Sequence, residues 1–173
     1  DRLAQGSCLQ SALRLHADRD LRLEDVADPP PPAPSEVTLR IHAVALNHID
    51  VWGFRGMAFA KREMPLIVGA EAVGEVVAVG DGVTDWKVGD RAAPYGALTC
   101  GKCRRCLAGQ DNLCEDVRGV KGFHVGGFAC ELVNQEARLL VRVPDGISWE
   151  DASCGTITFS TVEHMLFDNA KLE

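Results

Sequence analysis

The chain has 173 residues and a mass of 18.7 kDa, which fits one domain or a fragment but not the two lobes of many redox enzymes. Its 46% hydrophobic and 25% charged residues are typical of a globular protein, and no apolar stretch reaches the ~20 residues of a membrane-spanning helix. The net charge of −7, with scattered basic residues, excludes a global attraction to nucleic acid or anionic lipid. We therefore expect neither nucleic acid nor a membrane as a partner.

The N-terminal third predicts a hairpin and a connector. Residues 1–11 are expected to be a leader, non-native or disordered, because the chain begins without Met and its first ten residues lack the apolar core of a signal peptide. Leucines alternate with polar residues on both sides of the turn-like segment 17–20, a pattern typical of a β-hairpin. The proline-rich segment 28–34 predicts an extended connector, since proline has no N–H to donate.

Short strands dominate the middle of the chain. Apolar and polar residues alternate over 37–45, and β-branched residues punctuated by glycines follow over 65–80 and 83–92. This succession predicts a β-barrel or a folded-over sheet. A convincing helix signal occurs only near the end, where Ser148 and Asp151 resemble a capping box before apolar residues at helical spacing.

Seven cysteines are the one abnormal count in this composition. An odd number does not pair completely, and the lack of a signal peptide predicts a reducing, cytoplasmic setting in which clustered cysteines are metal ligands before disulfides. Cys8, Cys130 and Cys154 stand alone and are expected to be small buried or incidental residues.

The other four cysteines lie within fifteen residues, with gaps of two, two and seven: Cys100, Cys103, Cys106 and Cys114. Two-residue gaps let thiolates converge on one ion at Zn–S distances of ~2.3 Å, and a closed shell of four sulfurs leaves no open coordination position. The pattern predicts a structural zinc that holds an irregular lobe over about 99–122. Disulfides and crowded free thiols are the weaker alternatives. An iron–sulfur cluster suits the first three cysteines but not the final gap of seven.

Three separated features together resemble the zinc-type alcohol dehydrogenases and their quinone oxidoreductase relatives, the medium-chain dehydrogenase/reductase superfamily. They are the cysteine spacing, the Gly69-x-Glu71-x2-Gly74 strand and the segment 88–92. The resemblance covers about 12–173. It implies a mainly β fold with some α, a GroES-like β-barrel substrate domain with an irregular zinc-binding lobe. The fold would end in an interdomain helix at about 148–169 that leads to a Rossmann domain.

The resemblance also implies a reaction, hydride transfer between NAD(P) and a small-molecule carbonyl, alcohol or enone. In the zinc-dependent relatives a catalytic metal is held by a Cys, a His and a second Cys. The matching positions in this chain are Asn47, Ala70 and Ile157. Because alanine and isoleucine offer no ligand atom, we expect no catalytic zinc here.

Without that metal, the substrate oxygen must be polarised by hydrogen bonds. Asn47 offers an amide donor, and His48 offers a proton or a hydrogen bond near neutral pH. Asn47 is also a residue that turns favour for local backbone contacts, and the two roles are compatible. Asp50 would either orient His48 or cap a following helix.

Glu71 is the fourth candidate catalytic residue. It lies in an apolar strand, so we expect it to meet an arginine, a histidine or solvent. A different register of the final helix would bring Cys154 toward His48 and Glu71 and form a second metal site. That arrangement requires all its ligands to be placed at once.

The sequence contains no G-x-G-x-x-G dinucleotide turn. We therefore expect the Rossmann domain to be absent from this chain, the fragment alone to be inactive, and any homodimer to form through that domain. The first hypothesis is an N-terminal substrate domain of an NAD(P)-dependent oxidoreductase with a structural zinc. The alternative is a stand-alone zinc-bearing β-barrel that acts as a binding or assembly module.

Overall fold

The structure is a computed structural model that describes residues 9–57, 62 and 64–173. Its strands are β1 (Leu9–Ala17), β2 (Asp20–Ala27), β3 (Glu36–Ala45), β4 (Leu66–Ile67), β5 (Glu71–Val79), β6 (Arg91–Pro94), β7 (Leu132–Glu136) and β8 (Leu140–Arg142). The α-helices are α1 (His48–Phe54), α2 (Arg104–Leu107), α3 (Trp149–Ala152) and α4 (Ser160–Glu163). The mainly β architecture agrees with the prediction.

The predicted hairpin is present as β1 and β2, which pair antiparallel from Leu9 opposite Ala27 to Ala17 opposite Asp20. Strand β1 begins at Leu9, so residues 9–11 belong to the sheet rather than to the expected leader. Gln10 is buried, and its side-chain oxygen accepts the Leu132 N–H at 2.6 Å, which ties this segment to the barrel. The rest of the predicted leader, including Cys8, lies outside the described residues.

The strands form two sheets, one ordered β2-β1-β4 and one ordered β7-β3-β5-β6-β8. The main core lies on the larger sheet, where alternate positions of β3 and β5 point inward. Its fully buried members are Val37, Leu39, Ala72, Val76, Ala92, Phe128 and, at the margin, Val133. A second small cluster joins Val73, Ala93 and Ala152, so α3 packs on the sheet beside β5.

A close backbone approach shapes the turn that leads into β5. Gly69 has φ +92, and a Cβ on Gly122 would lie 2.5 Å from the Gly69 carbonyl carbon. Gly122 itself has φ +76, a conformation that L side chains rarely adopt. Glycine at both positions therefore lets the end of the cysteine lobe pack directly against the chain that precedes Glu71.

The helices differ from the sequence prediction in two ways. Helices α1 and α2 are both present, although convincing helix signals were expected only at the C-terminal end. The predicted helix at about 148–169 is divided into α3, a π-helical segment at Gly155–Phe159, α4 and a second π-helical segment at His164–Asn169. The Ser148 cap is as predicted, since its Oγ accepts the Asp151 N–H at 3.0 Å. Within the described ranges, no helix has the length and apolar character needed to cross a bilayer.

Candidate functional site

The four-cysteine cluster comprises Cys100, Cys103, Cys106 and Cys114. Their four sulfur atoms all lie within 4.8 Å of one another, and among the described residues this is the one group of three or more Cys, His, Asp or Glu that could hold a metal ion. A tetrahedral zinc needs four sulfurs gathered at this scale. The arrangement therefore fits the ligand set predicted from the spacing.

Backbone N–H groups point at these sulfurs. The Cys100 N–H donates to Cys114 Sγ at 3.2 Å, and the Cys103 N–H donates to Cys100 Sγ at 3.3 Å. Hydrogen bonds from the Cys106 and Glu115 backbones lower the pKa of the Cys103 thiol to about 6, because they stabilise the thiolate. Burial and its sulfur neighbours raise the pKa of Cys106 to about 12. A bound cation would replace the thiol proton that four such closely spaced sulfurs otherwise retain.

The lobe around this cluster has no core of its own. No residue from 100 to 121 is buried, and Leu107 and Leu113 are exposed. The lobe is anchored at its base, where the buried Thr99 accepts hydrogen bonds from Arg138 through its carbonyl and, at 3.3 Å, through its hydroxyl. With so little apolar burial, the four-cysteine cluster and this anchor are the main contacts that the lobe offers to hold its fold.

The second site lies where α1, β5 and the terminal helical segments meet. We call it the Asn47 cluster, and it consists of Asn47, Glu71, Ile157 and Thr158. Glu71 is completely buried. Its Oε1 accepts the backbone N–H groups of Ile157 at 2.5 Å and Thr158 at 3.1 Å. Its Oε2 accepts Asn47 Nδ2 at 3.0 Å and lies 3.0 Å from Thr158 Oγ1.

The expectation that Glu71 meets an arginine, a histidine or solvent is wrong. The first turn of a helical segment leaves its N–H groups without partners inside the helix, and two such groups satisfy this carboxylate. Buried carboxylates need hydrogen bonds rather than a counter-ion specifically. Backbone donors, which the sequence does not display, meet that need here.

Asn47 and Asp50 position the start of α1. Asp50 Oδ2 accepts the Asn47 backbone N–H at 2.8 Å, so Asp50 has the capping role rather than a contact with His48. Burial raises the pKa of the Asp50 carboxyl, and backbone amides of Asn47, Ala70 and Gly69 oppose that effect. With the start of the helix fixed in this way, the half-buried Asn47 side chain extends toward Glu71.

His48 and Cys154 are not part of the Asn47 cluster. His48 is exposed on α1, with its ring centroid 6.2 Å from that of Trp52. The Cys154 Sγ lies 3.9 Å from the Glu150 carbonyl oxygen, within its own helical turn. The described residues thus do not bring Cys154, His48 and Glu71 together as ligands, and the four hydrogen-bond contacts of Glu71 occupy both its oxygens.

Thr158 is the residue of this site that the sequence analysis missed. Its hydroxyl lies 3.2 Å from Asn47 Oδ1 as well as 3.0 Å from Glu71. Thr158 is 87 positions from Glu71 in sequence, so no local spacing connects them. The only available signal was that Thr158 follows Ile157, the position matched to a zinc ligand.

Comparisons with known proteins identify the family. Residues 33–145 match the alcohol dehydrogenase GroES-like domain. The chain belongs to this family. An alcohol dehydrogenase of Geobacillus stearothermophilus is 39% identical over 127 residues, which cover 71% of this chain and 37% of that protein. An L-threonine 3-dehydrogenase of Idiomarina loihiensis is 33% identical over 147 residues, 84% of this chain and 42% of its own length.

Solved structures agree with this assignment. The crystal structure of AibC superposes with a TM-score of 0.88 at 30% identity, and the match covers the whole of this chain and 49% of the AibC chain. An NAD-dependent alcohol dehydrogenase has a TM-score of 0.84 at 37% identity, and the match covers 95% of this chain and 48% of that protein. The GroES-like fold and the membership of the medium-chain dehydrogenase/reductase superfamily are confirmed. The chain spans less than half the length of these relatives.

Proposed function

We propose that this chain is the substrate-side domain of an NAD(P)-dependent oxidoreductase that transfers hydride to or from a carbonyl or an enone. Its relatives are dehydrogenases, which supports the reaction class. The four-cysteine cluster would hold a structural zinc, because a shell of four sulfurs has no position left for substrate. The bound nicotinamide would supply or accept the hydride.

The observation that carries this proposal is the Asn47 cluster, which lies at the positions matched to the relatives' catalytic metal. Ala70 and Ile157 offer no side-chain ligand, and Asn47 and Glu71 are hydrogen-bonded to each other. One N–H of the Asn47 amide is donated to Glu71. Within the part of the chain that the structure describes, the other N–H has no hydrogen-bond partner. We assign it to the substrate oxygen.

This donor would act on charge that develops during the reaction. When hydride reaches a carbonyl carbon or the β-carbon of an enone, negative charge accumulates on the oxygen, and a fixed N–H stabilises it more than it stabilises the neutral substrate. Glu71 makes this donor more effective. Its carboxylate accepts one N–H of the Asn47 amide, and because the amide is planar this fixes the direction of the second N–H. No catalytic metal is required for this step.

The oxygen must also gain a proton when the carbonyl is reduced. His48 directly follows Asn47 in sequence and is exposed on α1. We assign it proton delivery to the oxygen. A His48→Gln variant should reduce kcat while substrate binding persists.

The test uses the complete gene product, with NAD(P)H oxidation measured against a panel of aldehydes, ketones and enones. Asn47→Ala should lower kcat by about a hundredfold or more, the usual cost of losing one such donor. Asn112→Ala, an exposed asparagine of the lobe, is the matched control and should leave kcat unchanged. An enzyme that retains its kcat without the Asn47 amide would contradict the assignment. A complete gene product that oxidises neither cofactor with any of these substrates would favour the binding-module hypothesis.

A further inference from the structure

The Thr158 hydroxyl lies between the two groups that the proposed function depends on. It is 3.2 Å from the Asn47 amide oxygen and 3.0 Å from the Glu71 carboxylate. We propose that Thr158 is a positioning residue that holds the Asn47 amide in the orientation that Glu71 selects. The effect of this positioning role on catalysis rests on the proposed function, whereas its effect on the orientation of the Asn47 amide is measurable without turnover.

The Glu71 carboxylate is held in one orientation. Two consecutive backbone N–H groups, those of Ile157 and Thr158, bind the same oxygen, Oε1. Because the group is completely buried, no solvent competes for these donors. The remaining oxygen, Oε2, is therefore presented to Asn47 and to the Thr158 hydroxyl from a fixed place.

An ionised carboxylate only accepts hydrogen bonds, which decides the amide orientation at one end. Asn47 Nδ2 must face Glu71, because a flipped amide would place its oxygen about where Nδ2 lies, 3.0 Å from Oε2, with no proton between them. The amide oxygen then faces Thr158 Oγ1. Glu71 Oε2 and Thr158 Oγ1, which lie 3.0 Å apart, meet the N and the O of the amide along one edge, so rotation of the amide would break both contacts and the unpaired N–H keeps a single direction.

Thr158 itself is a positioning residue and not a proton donor to substrate. A hydroxyl carries one proton, and both neighbours of Oγ1 are acceptors, Asn47 Oδ1 and Glu71 Oε2. Whichever accepts, the proton is used inside the cluster. If the hydroxyl donates to Asn47 Oδ1, it holds the amide directly. If it donates to Glu71 Oε2, it helps to fix the carboxylate that in turn holds the amide.

The backbone of the same residue adds to this arrangement. The backbone N–H of Thr158 donates to Glu71 and so places residue 158 beside the cluster. A substitution of the Thr158 side chain does not remove this main-chain contact. The neighbouring Thr156 Oγ1 donates to the Pro94 carbonyl at 3.2 Å and anchors the preceding turn to β6. A Thr158 variant should therefore alter the amide while the helical segment stays in place.

The experiment is side-chain amide NMR on the zinc-loaded, 15N-labelled chain, with the Asn47 signals assigned by their loss in Asn47→Ala. In the parent chain the two amide protons should be well separated, because one is bonded to a carboxylate. Thr158→Val should reduce that separation and speed exchange of the bonded proton with water about tenfold, the contribution of one hydrogen bond. Thr158→Ser, which keeps the hydroxyl, should restore the parental signals.

Thr161→Val is the matched control, since Thr161 is exposed in α4, which directly follows the π-helical segment of Thr158. It should leave the Asn47 signals unchanged. If Thr158→Val folds with parental backbone resonances and parental Asn47 signals, or if Thr158→Ser fails to restore the signals, the proposal is overturned.

Kinetics on the complete gene product separate this proposal from the proposed function. Thr158→Val should lower kcat with little change in KM, and Thr158→Ser should recover it, because only the orientation of the donor changes. If the Asn47 signals change as expected while kcat stays parental, Thr158 positions the amide but the assigned role of Asn47 is wrong. If the signals do not change, the positioning role fails whatever the kinetics show.

Discussion

The four-cysteine cluster and the Asn47 cluster show two ways in which one domain satisfies a group of polar side chains. The first gathers four sulfurs within 4.8 Å, in a lobe without buried residues from 100 to 121. The second gathers an amide, a hydroxyl, a carboxylate and two N–H groups, next to a packed sheet. The first has the geometry of a metal site. The second satisfies its buried carboxylate through its own hydrogen bonds.

The difference shows how a buried carboxylate is satisfied by hydrogen bonds without a cation. Replacing ligands with alanine and isoleucine would leave Glu71 as an isolated buried charge, which costs several kcal/mol. Four hydrogen-bond contacts remove that cost. In the proposed function this arrangement leaves one amide N–H for a substrate, whereas a shell of four sulfurs would leave no position for a ligand.

The largest expected effect comes from breaking the four-cysteine cluster. Cys103→Ser should release the metal and unfold the lobe, because no buried residues stabilise it otherwise. The loss of stability should exceed the roughly 0.5–3 kcal/mol of ordinary substitutions. Thermal unfolding and limited proteolysis within 100–121 measure both changes. Cys154→Ser is the control, and equal behaviour of the two variants would contradict a metal-dependent lobe.

The next largest effect comes from the Asn47 cluster. Glu71→Gln places an NH2 group against donors, so at least one hydrogen bond to the former carboxylate is lost, at roughly 1.5–3 kcal/mol. Urea unfolding measures this change. Glu75→Gln is a matched control on the same strand, since Glu75 is half-buried and its Oε2 lies 3.7 Å from His42 Nε2. The zinc content should stay parental in both variants, and zinc loss from Glu71→Gln would show that the two clusters are not independent.

Much of this comparison could be read from the sequence, and the reasons for the remainder are physical. The cysteine spacing is local, so it predicted which sulfurs converge. The Asn47 cluster joins three separate segments, and the family resemblance pointed only to Asn47, Glu71 and Ile157. The Thr158 hydroxyl and the backbone donors to Glu71 depend on tertiary structure. Helix α1 entered the sequence prediction only as a helix for Asp50 to cap, because its seven residues are too few to show a clear apolar period.

The smallest expected effect is a pH dependence where the lobe joins the barrel. His124 Nδ1 accepts the Val120 N–H at 3.1 Å, and burial, aided by Arg62, lowers the pKa of this histidine. The folded state therefore favours the neutral ring, and the unfolded state gains the proton first as pH falls below the usual value of about 6.5. The free energy of unfolding should decrease below that pH.

A His124→Gln variant should lose this acid-side slope, measured by urea unfolding between about pH 7 and pH 5. His48→Gln, which changes an exposed histidine of the Asn47 region, is the comparison variant. If His48→Gln flattened the slope and His124→Gln did not, the acid sensitivity would belong to the other region.

The zinc content of the purified chain is the most direct test of the contrast between the two clusters. Mass spectrometry under non-denaturing conditions, supported by elemental analysis, should give one zinc per chain, and Cys103→Ser should give none. Added zinc should not raise the number, because the Asn47 cluster has no free ligand set. Two zinc ions per chain, or one that survives Cys103→Ser and is lost in Glu71→Gln, would contradict the account.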